Sequence, residues 1–428
     1  MRVAIATLGC KINQYDSAVI QSRLEARHAM VSFEEEADCY IVNACTVTDR
    51  ADWEARQLVR RAKRRSPAAR VVVTGCYAQV NPEQVAQVQE VDFVVGLNRL
   101  DDLLRFVEQT GTARKISVGD VKRERGVPVV GARALPGHTR AFLKIQEGCD
   151  YSCTYCIIPT ARGHSRSVAP EAILREIEGL ASRGYQEIVL TGIHLGGYGR
   201  DLTRRLDLTA LLEMILEKRS VQRLRLSSLD PREVPERLLT LIARSDVLCP
   251  HLHICAQAGD DRILKDMRRN YDTTYYREIV AAARELLPDG ALGSDIIVGF
   301  PGESDSDFER QVEFFDSLPL TYFHVFPYSI RSGTAAASLP AQVPAALKKA
   351  RAKKMRALGA AKKRAFALRF VGRRLSVLFE TTAKDGALTG YSRNYLPVAA
   401  AGGAVNREAE IEITGFNNGA LFGTVVSR

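Results

Sequence analysis

The chain has 428 residues, 46% hydrophobic and 26% charged, with a formal net charge of +10. That length exceeds what one hydrophobic core organises, so two or three domains are expected, and no apolar run approaches the roughly 18 residues of a membrane span. Nine cysteines, an odd number, without a signal h-region argue against a disulfide-stapled secreted fold and for metal or catalytic thiols in a reduced, cytoplasmic setting.

The first hundred residues alternate apolar and amphipathic runs. Val3–Thr7, Tyr40–Asn43, Val71–Thr74 and Phe93–Val95 are short and rich in β-branched residues, as strands buried on both faces are. Helical patterns lie around them at Tyr15–Ala26, Ala51–Arg65, Pro82–Gln89 and Leu100–Glu108. The alternation predicts a doubly wound α/β domain with a parallel sheet over residues 1–125. Cys10, Cys45 and Cys76 each follow the C-terminal end of a different predicted strand, at intervals of 35 and 31 residues. Ligands gather at those ends of open parallel sheets, so the three thiols are expected to converge on a second incomplete iron–sulfur site. The alternative is three buried core thiols.

Residues 126–140, bearing Gly and Arg, read as a linker. Over 141–365 six more strands are predicted, at Ala141–Ile145, Ile188–Leu190, Arg223–Leu226, His251–Ile254, Leu292–Val298 and Tyr322–Pro327. Helical patterns between them include Pro170–Arg183, Leu208–Lys218, Thr273–Leu286 and Asp305–Leu318. Six βα units are too few for a closed eight-fold barrel. In the loop after the first of these strands, Cys149, Cys153 and Cys156 are spaced C-x3-C-x2-C, with Tyr155 before the last. An iron–sulfur cubane is normally held by four thiolates, so three leave one iron open for a small molecule. A zinc knuckle would need a fourth Cys or His at tetrahedral distance, and His164 lies beyond Pro159 and Arg162-Gly163. Cys39 reads as a core thiol, and Cys249 and Cys255 bracket the fourth strand of this region, where packing is favoured over a redox role. His251 and His253 are read as alternating on that strand, with at most one facing the interior and neither a ligand.

The last sixty-odd residues change character. Short strands at 374–379, 387–391, 395–398, 410–413 and 421–425 are separated by turns bearing Gly, Asn and Asp. Before them, Lys348 to Arg374 holds twelve Lys or Arg and no Asp or Glu. A second basic run comprises Arg56, Arg60, Arg61, Lys63, Arg64, Arg65 and Arg70. Such runs are either solvated helix faces or surfaces for a phosphate-rich partner.

The C-x3-C-x2-C pattern is similar to that of radical S-adenosylmethionine (SAM) enzymes, and the six βα units suit their partial (β/α)6 barrel. There the open iron chelates SAM, and electron transfer cleaves SAM to a 5′-deoxyadenosyl radical. Segment 366–428 resembles a TRAM domain, a small RNA-binding β-barrel. Tyr391, Arg393, Asn394 and Tyr395 would then offer stacking and phosphate contacts, with turn chemistry and rim packing as the other reading. Together the three parts, over essentially the whole chain, resemble the radical SAM methylthiotransferase family. The resemblance implies an auxiliary [4Fe-4S] cluster on Cys10, Cys45 and Cys76 and a catalytic SAM cluster on Cys149, Cys153 and Cys156. One SAM would methylate sulfur and a second would yield the radical that opens a C–H bond, with an external electron donor and sulfur source.

Leu8-Gly9-Cys10-Lys11-Ile12-Asn13-Gln14-Tyr15-Asp16 and Asn43-Ala44-Cys45-Thr46-Val47-Thr48 look like the branch acting on N6-threonylcarbamoyladenosine in the tRNA anticodon loop, at position 37. The isopentenyladenosine branch typically has Gln-Met where Lys11-Ile12 stand, and the branch modifying a ribosomal-protein aspartate has Pro-Lys after the first cysteine. Motif matches imply SAM contacts from Tyr155, from Gly192 in Leu190-Thr191-Gly192, and from the stretch Asp295 to Glu303 with Gly299. Gln257 matches a family Gln-x-Gly, although Cys255-Ala256 replaces the usual Pro-Leu before it. Arg331 is expected near the SAM carboxylate or substrate, a surface salt bridge being the alternative. Two other readings stand beside the enzyme: a metal-stabilised RNA-binding protein without catalysis, and an electron-transfer protein with fully ligated clusters.

Overall fold

A computed structural model describes residues 1–109, 115–127, 139–383 and 386–426. Most of the expected linker lies outside these residues. The N-terminal region forms one parallel sheet of β1 (Arg2–Thr7), β2 (Ala29–Val31), β3 (Cys39–Ala44), β4 (Arg70–Gly75), β5 (Phe93–Val95) and β6 (Lys115–Ser117), in the order β2-β1-β3-β4-β5-β6. Every residue of β3 and β5 is buried, which is why those runs carry no polar alternation. Helices Lys11–Leu24, Asp49–Arg65 and Leu100–Glu108 cover the faces. The second starts where Thr48 accepts a hydrogen bond from the Ala51 amide, an N-cap that satisfies an otherwise orphaned donor.

The central region has β7 (Arg140–Glu147), β8 (Arg166–Ser167), β9 (Glu187–Gly192), β10 (Arg223–Leu226), β11 (Ser228–Leu229), β12 (His251–Ile254), β13 (Ala291–Val298) and β14 (Tyr322–Pro327). They form two sheets, β10-β9-β7-β8 and β11-β12-β13-β14, joined at a parallel bridge between Leu224 and Leu248. The six long strands are the six expected, and they run parallel from β7 through β9, β10, β12 and β13 to β14 as a partial barrel. The first helix of the N-terminal region packs against β7, and Lys144 on β7 ion-pairs with Asp16 on that helix at 2.8 Å.

β15 (Arg374–Thr382), β16 (Leu388–Ser392), β17 (Pro397–Ala401), β18 (Glu408–Asn417) and β19 (Ala420–Val425) close into a small barrel. It plugs the N-terminal end of the central barrel. Tyr395 stacks on His251 with ring centroids 4.6 Å apart, and Arg225 lies over its other surroundings at 4.8 Å from the ring. Arg393 pairs with Glu408 (2.9 Å), Asn394 donates to the Asp289 carbonyl (2.9 Å), and Tyr391 stacks on Tyr395. These four residues therefore dock domains; they are not displayed for RNA as expected. Beneath them Glu187 accepts from Arg223 (2.8 Å) and Arg225 (2.7 Å), all three fully buried.

The basic helix spans Ala345–Leu368. Part of its charge is structural: Arg351 pairs with buried Glu303 at 2.8 Å, and Lys362 donates to the Asp316 and Leu318 carbonyls. Lys349, Lys353, Lys363 and Arg364 are exposed. The run on helix Asp49–Arg65 is largely paired within the domain, Arg61 and Arg65 with Glu34 and Lys63 with Asp92.

Candidate functional site

Both cysteine sets lie at the C-terminal ends of parallel strands. Cys10 follows β1, Cys45 follows β3 and Cys76 follows β4, and Asn13 gathers two of them, its Oδ1 lying 3.9 Å from Cys10 Sγ and 4.0 Å from Cys76 Sγ. Gly9 sits at φ +109°, and a Cβ there would lie 2.6 Å from Cys45 Cβ and 3.1 Å from its sulfur. Only glycine lets the two loops approach this closely. The Val47 amide donates to Cys45 Sγ at 3.4 Å. Burial, followed by the nearby Cys76 sulfur, pushes the Cys45 thiol up to about 12, so the cluster of bare thiols is neutral.

Cys149, Cys153 and Cys156 share the loop after β7. Gly148 holds its entry at φ +72°, where a Cβ would strike the His164 carbonyl, and the Cys149 amide donates to the Gly163 carbonyl at 3.1 Å. The Tyr151 amide donates to Cys149 Sγ at 3.4 Å, and Arg269 Nη1 donates to Cys153 Sγ at 3.1 Å. Buried His194 lies 2.7 Å from Glu233. Burial alone would lower this imidazole, but hydrogen bonds to Cys149 and Glu233 raise it to about 9.

Arg162 ties the sets together. It stands on the short helix Ile158–Arg162 that follows Cys156, is buried, and donates from Nε to Cys76 Sγ at 3.3 Å. Each set offers three sulfurs faced by guanidinium or amide N–H groups, the surroundings an anionic thiolate-bound cluster requires. The donor sets fit two iron–sulfur clusters, each with one iron not held by cysteine.

The other expected positions divide. Tyr155 packs beside Arg269, Cys153 and Cys156, which with burial push its hydroxyl well above the phenol range. Gly192 ends β9 and Gly299 follows β13 at the same barrel mouth. The Glu303 carboxylate accepts the Gly299 amide (2.9 Å), Gln311 (3.0 Å) and Arg351 (2.8 Å), so it positions the glycine loop. Gln257 continues the pairing of β12 with β13, its amide on the Asp295 carbonyl (2.9 Å), at a positive φ of 65°. Arg331 departs from both expectations. It is buried, pairs with Asp52 (2.7 Å) and Asp49, and donates to the Thr46 carbonyl (3.2 Å), bracing the Cys45 loop. His251 and His253 share one face of β12, both reaching Tyr322 Oη, at 2.8 and 3.0 Å; residues two apart on a strand lie on the same side, so the expected alternation was wrong. Cys39 is a core thiol, and buried Cys249 packs 4.0 Å from Glu187. Asn13, Arg162, His194 and Arg269 were not singled out as site residues.

Comparison with known proteins places these features in a family. Residues 2–96 match Uncharacterized protein family UPF0004, and residues 143–315 match the Radical SAM superfamily. Threonylcarbamoyladenosine tRNA methylthiotransferase MtaB of Aquifex aeolicus (strain VF5) is 40% identical, covering 88% of this chain and 92% of its own length. The MtaB of Bacillus subtilis (strain 168) is 38% identical over 92% of this chain and 89% of its own. The tRNA-2-methylthio-N(6)-dimethylallyladenosine synthase of Moorella thermoacetica (strain ATCC 39073 / JCM 9320) is 34% identical, covering 89% of this chain and 87% of its own. Among solved structures, the radical SAM methyltransferase TsrM from Kitasatospora setae, with cobalamin and a [4Fe-4S] cluster bound, shares the fold at a TM-score of 0.56 and 17% identity, covering 78% of this chain and 77% of that one. Two cysteine triads on parallel strand ends, a partial barrel and full-length relatives at this identity agree: the chain belongs to the radical SAM tRNA methylthiotransferase family.

Proposed function

We propose that this enzyme is a tRNA N6-threonylcarbamoyladenosine methylthiotransferase, replacing the C2 hydrogen of that nucleoside at position 37 by a methylthio group. The observation that carries the reading is the pair of three-thiol sets joined by Arg162. Cys149, Cys153 and Cys156 would hold the [4Fe-4S] cluster that binds SAM, and Cys10, Cys45 and Cys76 the auxiliary one. Bound there, clusters and SAM supply a methyl donor and the one-electron chemistry demanded by an aromatic C–H with no acidity for a base to exploit. The protein's part is positioning. Arg162 and Arg269 direct N–H groups at sulfur, and Asn13 and Gly9 bring the three N-terminal thiols together. Glu303 fixes the Gly299 loop that, with Gly192, Tyr155 and Gln257, would frame SAM, while Arg331 braces the Cys45 loop. An external electron donor and a sulfur source complete the reaction. Among the described residues no helix is long and apolar enough to cross a membrane.

The test is mass spectrometry of nucleosides from tRNA incubated anaerobically with the reconstituted protein, SAM, sulfide and a strong reductant. A methylthio gain on the threonylcarbamoyl nucleoside alone is expected. A gain only on the isopentenyl nucleoside would keep the chemistry and overturn the substrate. Intact SAM and unmodified tRNA would leave an RNA-binding module.

A further inference from the structure

The barrel interior holds polar groups used by neither cysteine set nor the floor. His253 Nε2 and His324 Nδ1 both lie within hydrogen-bond distance of Asp295 Oδ1, at 2.9 and 3.1 Å. One proton arrangement satisfies the whole row: His251 Nε2–H to Tyr322 Oη, Tyr322 O–H to His253 Nδ1, then His253 Nε2–H and His324 Nδ1–H to Asp295 Oδ1. Cys255 Sγ lies 3.6 Å from the other Asp295 oxygen. The carboxylate is thus occupied, and His324 keeps Nε2 open on a ring that is 59% exposed.

Lys11 enters the same space from the N-terminal region. It directly follows Cys10, begins helix Lys11–Leu24, and is largely shielded from water, under the influence of Tyr395, Arg225, Arg140 and Asp295. The other cations there are engaged, Arg223 and Arg225 by Glu187 and Arg140 by Glu380. Among the described residues Lys11 makes no hydrogen bond or ion pair. A shielded ammonium without an anion is costly, and a ligand that brings one removes the cost.

We propose that Lys11 is a specificity residue that binds the free carboxylate of the threonylcarbamoyl group, with His324 Nε2 accepting a hydrogen bond from the threonyl hydroxyl. The assignment rests on the threonylcarbamoyl reading of the substrate. Threonine joined through its amine keeps its carboxylate and hydroxyl, so the substrate carries the two groups that this pair lacks. Adenine C2 and N6 flank N1 on one edge of the base. A base whose C2 faces the cysteine sets therefore carries its N6 substituent along that edge, past Cys10 to Lys11. An isopentenyl group would bring neither charge nor hydroxyl and would leave the ammonium buried alone.

The test compares an anticodon stem-loop RNA bearing threonylcarbamoyladenosine with its threonyl methyl ester, on the reconstituted full chain and on K11Q, K11R and H324Q. Within each protein the ratio of kcat/KM for acid over ester is measured, so any general loss of activity cancels. The unmodified chain should prefer the acid by about ten-fold or more, the value of one charge-assisted contact. K11Q should bring the ratio close to one and K11R should retain part of it. The glycylcarbamoyl analogue, which lacks the hydroxyl, should react more slowly with the unmodified chain and incur no such loss with H324Q. Equal use of acid and ester by the unmodified chain overturns the proposal even if K11Q does not fold, and so does an undiminished acid preference in K11Q. Methylthiolation of isopentenyl RNA alone would show instead that the substrate reading had failed.

Discussion

Arg162 Nε lies 3.3 Å from Cys76 Sγ, although the two residues belong to different domains and stand 86 positions apart. The same guanidinium reaches Asp16 (2.8 Å), Glu147 (3.1 Å) and Asn13 (2.6 Å). It therefore holds one cysteine of the N-terminal set from the loop that carries the other set. Removing it would leave two carboxylates without their shared partner, and breaking a buried pair this way costs about 3–5 kcal/mol. R162M should lower the melting temperature and deplete iron at the N-terminal site more than at the barrel site. R162K should recover part of the stability, since it keeps the charge without the fork. Iron and sulfide per chain, with electron paramagnetic resonance of each cluster, check this; full occupancy and unchanged melting in R162M would contradict it.

The floor of the barrel should be acid-labile. Burial alone would raise the Glu187 carboxyl, but the charges and hydrogen bonds of Arg225, with the charges of Arg223 and Arg140, outweigh it and hold it at about 2 against an ordinary 4.5. A carboxyl depressed in the folded state contributes stability that is fully present above its unfolded pKa and lost as pH falls through the folded value. Unfolding free energy should therefore drop between about pH 4.5 and 2. E187Q should flatten that part of the profile while lowering stability at neutral pH. Denaturant titrations across this range measure both, and parallel profiles for the two proteins would refute the assignment.

The strands that carry the cysteines were legible because burial on both faces leaves an uninterrupted apolar run, as in Val71–Thr74. The short edge strands Ala29–Val31 and Lys115–Ser117 left no such trace, being mostly exposed or half-buried. Cysteine spacing exposed both sets because each repeats a structural position. Arg162 and Arg269 carry no local signal: their sulfur partners lie 86 and 116 residues away, and only the tertiary fold brings them together. The same reason explains Arg331 and Tyr395. Both look like ligand-contacting residues beside turns, yet domain packing sets Arg331 against Asp52 and Tyr395 against His251.

Arg269 bears on reduction of the barrel cluster. Its Nη1 donates to Cys153 Sγ at 3.1 Å, and its other arm pairs with buried Asp230. Hydrogen bonds to sulfur and local charge set cluster potentials, and a cation stabilises the more negative reduced state. R269M should therefore move the midpoint to more negative values and slow SAM cleavage with a weak reductant more than with a strong one. A redox titration followed by electron paramagnetic resonance reads the shift, and a positive or absent shift would count against this role.

RNA binding should depend on the exposed basic helix rather than on the turn residues of the small barrel. Arg351 and Lys362 are committed to packing, whereas Lys349, Lys353, Lys363 and Arg364 face solvent. Each phosphate contact contributes about 0.7–0.9 to the slope of log affinity against log salt. Replacing these four residues with glutamine should flatten that slope, with little effect on melting. Y395A should do the opposite, because its ring lies between His251 and Arg225 at the domain junction. It should destabilise the protein and leave the slope intact. Fluorescence anisotropy of labelled tRNA across a salt series, beside thermal melts, separates the two. An unchanged slope in the four-fold variant, or a flattened one in a well-folded Y395A, would return the phosphate contacts to the turn.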